Sequence, residues 1–130
     1  MFLLDTNILI YSLKKNPTVI QNFKDNRDAP KAISIISYGE LIYGAEKSKY
    51  KIKNLAKIHK IAEIFPIINL SPAIMNTYGA IKTSLQSEGQ IIDEFDLLIA
   101  STALVHGYTL VTNNIKHFKR IPYLSLTNWI

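Results

Sequence analysis

The sequence predicts a three-layer α/β/α sandwich around a central parallel sheet of four or five strands. Two observations support this fold class. Short β-type runs alternate with longer helical runs along the chain, which is the pattern of a parallel sheet covered by helices. No repeat, linker or shift in composition divides the 130 residues, a length typical of one domain. Residues 1–130 are therefore predicted to form a single domain.

The first half of the chain contains two predicted strands, each followed by a helix. Phe2–Leu4 is a short buried strand, and Asp5-Thr6-Asn7 then opens a helix over the apolar run Ile8–Leu13. Residues Ala32–Ile36 form the second predicted strand. Ser37 and Glu40 have the spacing of a capping box, so the next helix is predicted to start at Ser37.

A basic helix and a third strand follow. From Ile52 the apolar residues recur at helical spacing until Pro66 ends the helix. Ile67–Leu70 is the next strand candidate, and Ser71-Pro72 supplies an N-cap and a first-turn proline for a helix that closes at Gly89. The basic region carries six lysines: Lys47, Lys49, Lys51, Lys53, Lys57 and Lys60.

The last third of the chain repeats the alternation. A helix is predicted from Asp93 through Ala103, with Gly107 as its stop signal. The β-branched run Thr109–Thr112 is the fourth strand. A short helical turn over Asn114–Phe118 and a final strand over Tyr123–Leu126 complete the fold.

Composition limits the classes of function. Apolar residues make up 48% and charged residues 19% of the chain, which excludes intrinsic disorder. The net charge of +5 favours a polyanionic partner, with nucleic acid ahead of an anionic membrane surface. Cysteine is absent, which excludes disulfides and thiolate chemistry and fits a cytoplasmic location. The amino terminus does not resemble a secretory signal, and turn residues interrupt both long uncharged stretches, so no membrane segment is predicted.

Polar residues at the predicted strand ends are the candidates for chemistry. Ligands of open parallel sheets bind beyond the carboxyl ends of the strands, where helix amino termini also converge. Asp5 follows the first strand, Glu40 lies shortly after the second, Asp96 begins the helix before the fourth, and Asn113-Asn114 follows the fourth. We therefore expect three carboxylates and an amide at one end of the sheet.

Three clustered carboxylates predict a hard divalent cation as their ligand. Without a cation they repel one another, and at least one pKa rises. Mg²⁺ or Mn²⁺ suits oxygen ligands and keeps coordination positions for water and a substrate phosphate. Asp5, Glu40 and Asp96 are the predicted metal ligands, and with Asn114 they form the predicted catalytic set. This chemistry is metal-assisted hydrolysis of phosphodiester bonds, with a basic surface to hold RNA or DNA.

Each residue also has a purely structural explanation. Asp5-Thr6 is an ordinary N-cap, Glu40 fits a capping box, and Asp96 with Asp93 complements a helix dipole. The asparagines suit a turn, and the lysine run suits a solvated helix face. The coincidence of all of them at one end of the sheet favours the functional interpretation.

The same residues resemble the PIN-domain ribonucleases, and most of all the VapC toxins of prokaryotic toxin–antitoxin modules. Four blocks in order carry the resemblance, which extends to the terminal strand and Trp129. These blocks are Asp5-Thr6-Asn7-Ile8-Leu9-Ile10-Tyr11; Ile33-Ser34 with Glu40-Leu41 and Gly44; Asp96-Leu97-Leu98-Ile99-Ala100; and Leu110-Val111-Thr112-Asn113-Asn114 with His117-Phe118 and Arg120-Ile121.

The resemblance implies a Mg²⁺- or Mn²⁺-dependent endoribonuclease that forms a homodimer. It also implies inhibition by a VapB antitoxin whose tail enters the acidic site, and operator DNA as a partner only through the antitoxin complex. Asp5, Glu40 and Asp96 match the acidic metal-binding positions of the family, and Asn114 matches a fourth that is Asp in many members. The Thr-Asn-Asn form resembles the group that cleaves initiator tRNA in the anticodon loop.

The resemblance assigns auxiliary roles as well. Thr6 and Thr112 are expected to orient carboxylates or water, and Asp93, with Asn7 and Asn113, is an auxiliary candidate. The alternatives are a nuclease acting in ribosomal RNA processing or on DNA, and a nucleic-acid-binding module whose acids only cap helices. The chain has no phosphate-binding loop, dinucleotide-binding glycine pattern or serine-hydrolase motif.

Overall fold

The computed structural model describes all 130 residues and contains a five-stranded parallel sheet with seven helices. The strand order is β3-β2-β1-β4-β5, and every neighbouring pair is parallel. The predicted α/β fold class is therefore confirmed. In chain order the elements are β1 (Phe2–Leu4), α1 (Thr6–Leu13), α2 (Pro17–Asp25), β2 (Lys31–Ser34), α3 (Ile35–Glu46), α4 (Lys51–Ile64), β3 (Ile67–Ile68), α5 (Pro72–Ser87), α6 (Glu94–His106), β4 (Thr109–Val111), α7 (Ile115–Phe118) and β5 (Leu126–Thr127).

The sheet separates two hydrophobic cores. Successive side chains of a strand point to opposite faces, and the two central strands divide accordingly. Leu3 and Leu110 pack in one core, which α5 and α6 cover. Leu4 and Val111 pack in the other core, with residues of α1, α3 and α4. This division produces the predicted three layers.

The order of connections reverses at the centre of the sheet. From β1 the chain moves to β2 and β3 on one side, then crosses to β4 and β5 on the other. The crevice beyond the carboxyl ends of β1 and β4 is thus the topological switch point, where ligands bind in open α/β sheets.

The start of α3 differs from the sequence prediction. Strand β2 ends at Ser34, whose side chain accepts a hydrogen bond from the Ile36 amide, so α3 begins at Ile35 and not at Ser37. Ser37 is buried inside the helix, and its hydroxyl oxygen has no hydrogen-bond partner. The predicted capping box is therefore wrong, and Glu40 is free of that structural role.

Two other local predictions need correction. The sequence prediction missed α2, although Asn16 caps it by accepting from Thr18 and Val19, with Pro17 at its first position. The last strand is Leu126–Thr127 and not Tyr123–Leu126. Tyr123 has a φ of 66° and is almost fully exposed, so it cannot belong to a strand.

Other turn signals are confirmed. Ser71 caps α5, and Gly107 ends α6 with a left-handed φ of 68°. Glycine adopts that conformation without the Cβ penalty of other residues. None of the seven helices has the length and apolar character needed to cross a membrane.

Candidate active site

A cavity of about 840 Å³ opens at the switch point of the sheet. Asp5 reaches it from the end of β1, Glu40 from α3 and Asp96 from the first turn of α6. Asn114, after β4, also lines the cavity. The structure therefore brings together all four residues of the predicted catalytic set.

Asp5 is held rigidly at the base of this site. The residue is 6% exposed, and its amide donates to the Val111 carbonyl at 2.9 Å, which continues the β1–β4 ladder. One carboxylate oxygen, Oδ1, accepts from the Thr6 amide, and the other, Oδ2, accepts from the Thr112 hydroxyl, both at 2.8 Å. Asp5 is thus a helix cap and a cavity residue at the same time.

Thr6 links the first two carboxylates. Its amide donates to Asp5, and its hydroxyl donates to Oε1 of Glu40 at 2.8 Å. Both bonds fix the direction in which the acids present their remaining lone pairs. The contacts place Thr6 where it can orient both carboxylates, and its role in the reaction stays a prediction.

Asp96 is half-buried and faces His117. The Nε2 atom of His117 lies 3.2 Å from Oδ2 of Asp96, but this nitrogen has no aligned hydrogen-bond partner. His117 therefore lies beside one of the acids, although it does not line the cavity. Its proximity to Asp96 depends on the position of α7, which no local sequence pattern reveals.

Residues at the turn after β4 form hydrogen bonds with Asp5 and Asn7. The Thr112 hydroxyl donates to Asp5 and accepts from the Asn114 amide at 3.1 Å. Asn113 accepts from the Asn7 side chain at 3.4 Å. Both amide side chains connect α1 to the β4 turn. Asp93 caps α6 by accepting from the Phe95 amide, and it does not line the cavity.

Burial raises the pKa values of all three acids, and repulsion between carboxylates adds to the effect at Glu40 and Asp96. Burial raises the pKa of Asp5, although the Thr112 and Thr6 hydrogen bonds oppose the effect. Burial, followed by repulsion from Asp5 and Asp93, raises the pKa of Glu40. Burial and then repulsion from Asp5, Asp93 and Glu40 raise the pKa of Asp96 to about 7. Carboxylates with raised pKa values grouped in a cleft are typical of a functional site.

The donor chemistry fits a divalent cation, but the acids do not form a closed chelate. No three acidic or histidine side chains come close enough to hold one ion together. The Thr6 hydroxyl holds Glu40, and Asp96 lies beside His117. Mg²⁺ is commonly held by one or two carboxylates and several waters, so hard oxygen donors with excess negative charge suit it.

Sequence reasoning did not predict eight of the fourteen lining residues, among them the aromatic and basic side chains of Tyr43, Lys47 and Phe95. Tyr43 and Lys47 follow Glu40 at helical spacing, so the register of α3 could have placed them on the face of Glu40. Phe95 directly precedes Asp96 and is half-exposed. Its position in the cavity required the tertiary structure.

Comparisons with known proteins agree with this architecture. The family model described as "PIN domain" matches residues 2–123. Ribonuclease VapC2 of Rickettsia felis is 44% identical over 99% of this chain and 98% of its own length. A tRNA(fMet)-specific endonuclease VapC of Shigella flexneri is 34% identical over 98% of this chain and 97% of its own.

A solved structure is equally similar. The crystal structure of VapBC2 from Rickettsia felis bound to a DNA fragment from their promoter contains a chain with 43% identity and a TM-score of 0.92, and the match covers 99% of this chain and 98% of that one. The acidic crevice at a switch point and these matches together define a nuclease of the PIN type. The chain belongs to the PIN-domain family and, within it, to the VapC ribonucleases of toxin–antitoxin systems, so it is an endoribonuclease. Nucleases of this family generally depend on a divalent metal ion.

Proposed function

We propose that this chain is a single-domain, Mg²⁺-dependent ribonuclease toxin that cuts tRNA, with Asp5, Glu40 and Asp96 as its metal-binding and catalytic acids. The observation that carries the proposal is the convergence of these acids, from three separate elements, on one cavity at the switch point. Mn²⁺ has the same preference for oxygen ligands and is the alternative cation.

The residues of the site have separable tasks. Asp5 and Asp96 supply oxygen ligands, and Glu40 is positioned by Thr6 to orient or deprotonate water. A divalent cation held by these oxygens would supply Lewis-acid chemistry for the hydrolysis of the phosphodiester. Asn114 supplies a neutral donor or acceptor at a position where the family resemblance implies Asp in many members, and an amide there reduces the negative charge that faces a phosphate. The Thr112 hydroxyl holds the Asp5 carboxylate by a hydrogen bond. Asn7 and Asn113 bond to each other and connect α1 to the turn after β4, and Asp93 caps α6.

Related proteins support the choice of substrate and partners. The Shigella flexneri relative is named for its action on tRNA(fMet), and the Rickettsia felis relative was solved as a VapBC2 complex on promoter DNA. By analogy we expect initiator tRNA as the substrate, a VapB-type antitoxin as the inhibitor, and operator DNA as a partner only of that complex. A homodimer and a cytoplasmic location complete the proposal.

Cleavage by purified protein tests it. With Mg²⁺, the parent should cut tRNA, and EDTA should stop cleavage. Asp5→Asn and Asp96→Asn should each lower the rate at least 100-fold, because general acid–base groups and metal ligands contribute factors of about 10²–10⁴. Asp28→Asn changes the charge equally at an exposed position outside the cavity and should retain full activity.

Two results would contradict the proposal. Full activity in both cavity variants would show that the acids are structural. Parallel digestion of tRNA, ribosomal RNA and single-stranded DNA tests the substrate class, and cleavage of DNA or ribosomal RNA in preference to tRNA would replace the proposed substrate.

A further inference from the structure

The acidic cavity poses an electrostatic problem for an RNA ligand. Three of its fourteen lining residues are carboxylates that repel phosphate, and Lys47 is the one basic residue among them. The other fourteen basic residues of the chain do not line this cavity, and four of them lie on α4. Without a bound cation, the side-chain charges of the cavity therefore do not attract an RNA segment that passes the acids.

Two exposed aromatic side chains line the same cavity. Tyr43 is 65% exposed and Phe95 is 50% exposed, and they are the only aromatic residues of its lining. They come from two different helices, α3 and α6. Exposed rings beside a nucleic-acid site are typical stacking platforms for unpaired bases, since every base offers a π-face.

Tyr43 belongs to a continuous stripe on α3, formed by Glu40, Tyr43, Gly44 and Lys47, which all line the cavity. Residues three and four apart lie on one helix face. The stripe extends about 10 Å, at 1.5 Å per residue, from the half-buried acid to the exposed lysine. Gly44 has nothing within 4 Å of an added Cβ, so the helix surface at Gly44 is open.

Lys47 is placed to serve the same ligand. Its ammonium lies 4.6 Å from the centre of the Tyr43 ring, within cation–π distance. The cation thus lies beside the aromatic face without a carboxylate ion pair. One nucleotide can therefore stack its base on the Tyr43 ring and place its phosphate near the Lys47 ammonium.

We propose that Tyr43 and Phe95 stack on unpaired bases that flank the cut, while Lys47 binds an adjoining phosphate of the same strand. This inference deepens the proposed function and rests on it: the site takes a single-stranded or looped segment, because bases inside a duplex are already stacked. Tyr43 and Phe95 are then substrate-positioning residues that offset the repulsion by the acids.

The test measures binding apart from cleavage. All proteins carry Asp96→Asn to prevent cutting, and the probes are a fluorescent 12-mer of oligoadenylate and an abasic ribose-phosphate 12-mer of equal charge. Fluorescence anisotropy gives Kd for each. The parent background should prefer the intact probe, and Tyr43→Ala and Phe95→Ala should each reduce that preference at least five-fold, since stacking contributes about 1–3 kcal/mol per base.

Lys47→Gln should behave differently. It should weaken the binding of both probes to the same extent, and it should lower the slope of log Kd against the logarithm of the salt concentration by about one. Tyr50 and Lys49 form a matched control, because Lys49 lies 5.7 Å from the Tyr50 ring in an equally exposed pair that does not line the cavity. Tyr50→Ala should leave the base preference unchanged.

The outcomes separate the two proposals. Equal binding of intact and abasic probes by the parent background, or an unchanged preference in Tyr43→Ala and Phe95→Ala, overturns the stacking inference whatever the enzyme cuts. A loss of preference in Tyr50→Ala as large as in Tyr43→Ala also overturns it. Failure of the protein without Asp96→Asn to cleave RNA with Mg²⁺ overturns the proposed function alone, because the binding ratios need no cleavage.

Discussion

Individual hydroxyl groups decide how the acids of this site are held. Thr6 and Thr112 each bond two partners, and together they connect Asp5, Glu40 and the Asn114 amide. A threonine that bonds a buried carboxylate stabilises the charged form, which the surroundings otherwise disfavour. At this scale, local chemistry therefore determines whether the acids are ionised and correctly aimed.

Thr112→Val should destabilise the protein. The change removes the hydroxyl from a fully buried side chain of similar shape, and it leaves Asp5 with one hydrogen bond fewer. The free energy of unfolding should fall by about 1–3 kcal/mol, as measured by urea denaturation, and RNA cleavage should fall as well. Thr112→Ser keeps the hydroxyl and should retain most of the stability and most of the cleavage activity.

A matched control for Thr112→Val is Thr102→Val. Thr102 is as buried as Thr112, but its hydroxyl donates only to the helical carbonyl of Leu98, which already belongs to a helix. Loss of the Thr102 hydroxyl should change the free energy of unfolding and the rate of RNA cleavage little. An equal effect of the two substitutions would contradict a special role for Thr112.

The stability of the metal-free protein should fall as pH rises through the titration range of Asp96. Its pKa is about 7 in the folded chain and 3.8 by itself, so between these values the folded state binds the extra proton. The resulting stability is present below pH 4 and is lost as pH rises through 7. Screening at this half-buried group limits the change to roughly 1–2 kcal/mol.

The Asp96→Asn variant tests whether stability falls or rises with pH. In EDTA the variant should lack this pH dependence, so its melting temperature should match the parent near pH 4 and exceed it at pH 8. Thermal melts followed by circular dichroism measure both. A parent that becomes more stable than the variant between pH 5 and 8 would refute the assignment.

At the scale of the elements, the ends of helices carry most of the local information. Asp5, Asn16, Ser34, Ser71 and Asp93 each accept a hydrogen bond from the first turn of the helix that follows. Ser34 took this role in place of Ser37 because β2 ends there and leaves Ser34 extended, with a ψ of 148°. Local propensity allowed either serine, and strand pairing selected one.

Two glycine substitutions should act in opposite directions. Gly79 is exposed inside α5, with nothing within 4 Å of an added Cβ, so Gly79→Ala should raise the free energy of unfolding by about 0.5–1 kcal/mol. Gly107 has a φ of 68°, so Gly107→Ala should lower it by about 1–2 kcal/mol. Urea denaturation of both variants checks the signs, and a stabilising Gly107→Ala would exclude a conformational role for that residue.

At the scale of the whole molecule, the carboxyl terminus is bound to the beginning of the chain. Trp129 is 3% exposed, and its ring makes edge-to-face contacts with Phe2 and Phe23, with centroids 5.1 Å apart in each pair. The Trp129 carbonyl also accepts from the Asn22 side chain at 3.1 Å. One residue thus joins β1, α2 and the terminus.

Trp129→Ala should lower the free energy of unfolding by about 3–5 kcal/mol, because it removes a large buried ring from the core. Circular dichroism during urea denaturation measures the change, since Trp129 is the only tryptophan. Trp129→Phe should cost less, and Tyr123→Ala, at an almost fully exposed ring, should cost nothing. A cost below about 1 kcal/mol for Trp129→Ala would contradict this packing.

The amino-acid sequence by itself determined the layered fold, the alternation of elements and six residues that line the candidate active-site cavity. These features are local or periodic: a carboxylate after a buried strand, helical spacing and turn residues such as Gly107 can each be interpreted without knowledge of distant contacts. The net charge of +5 also indicated a polyanionic partner, although not where that partner binds.

Only the tertiary structure decided which groups meet. The strand order placed β1 beside β4, and so brought Thr112 to Asp5 across 107 positions of sequence. Packing of α7 brought His117 to Asp96, and packing of α3 and α6 placed Tyr43 and Phe95 in one cavity. Such contacts between elements depend on how whole helices and strands pack against both cores, and the residue spacing within one element does not encode that packing.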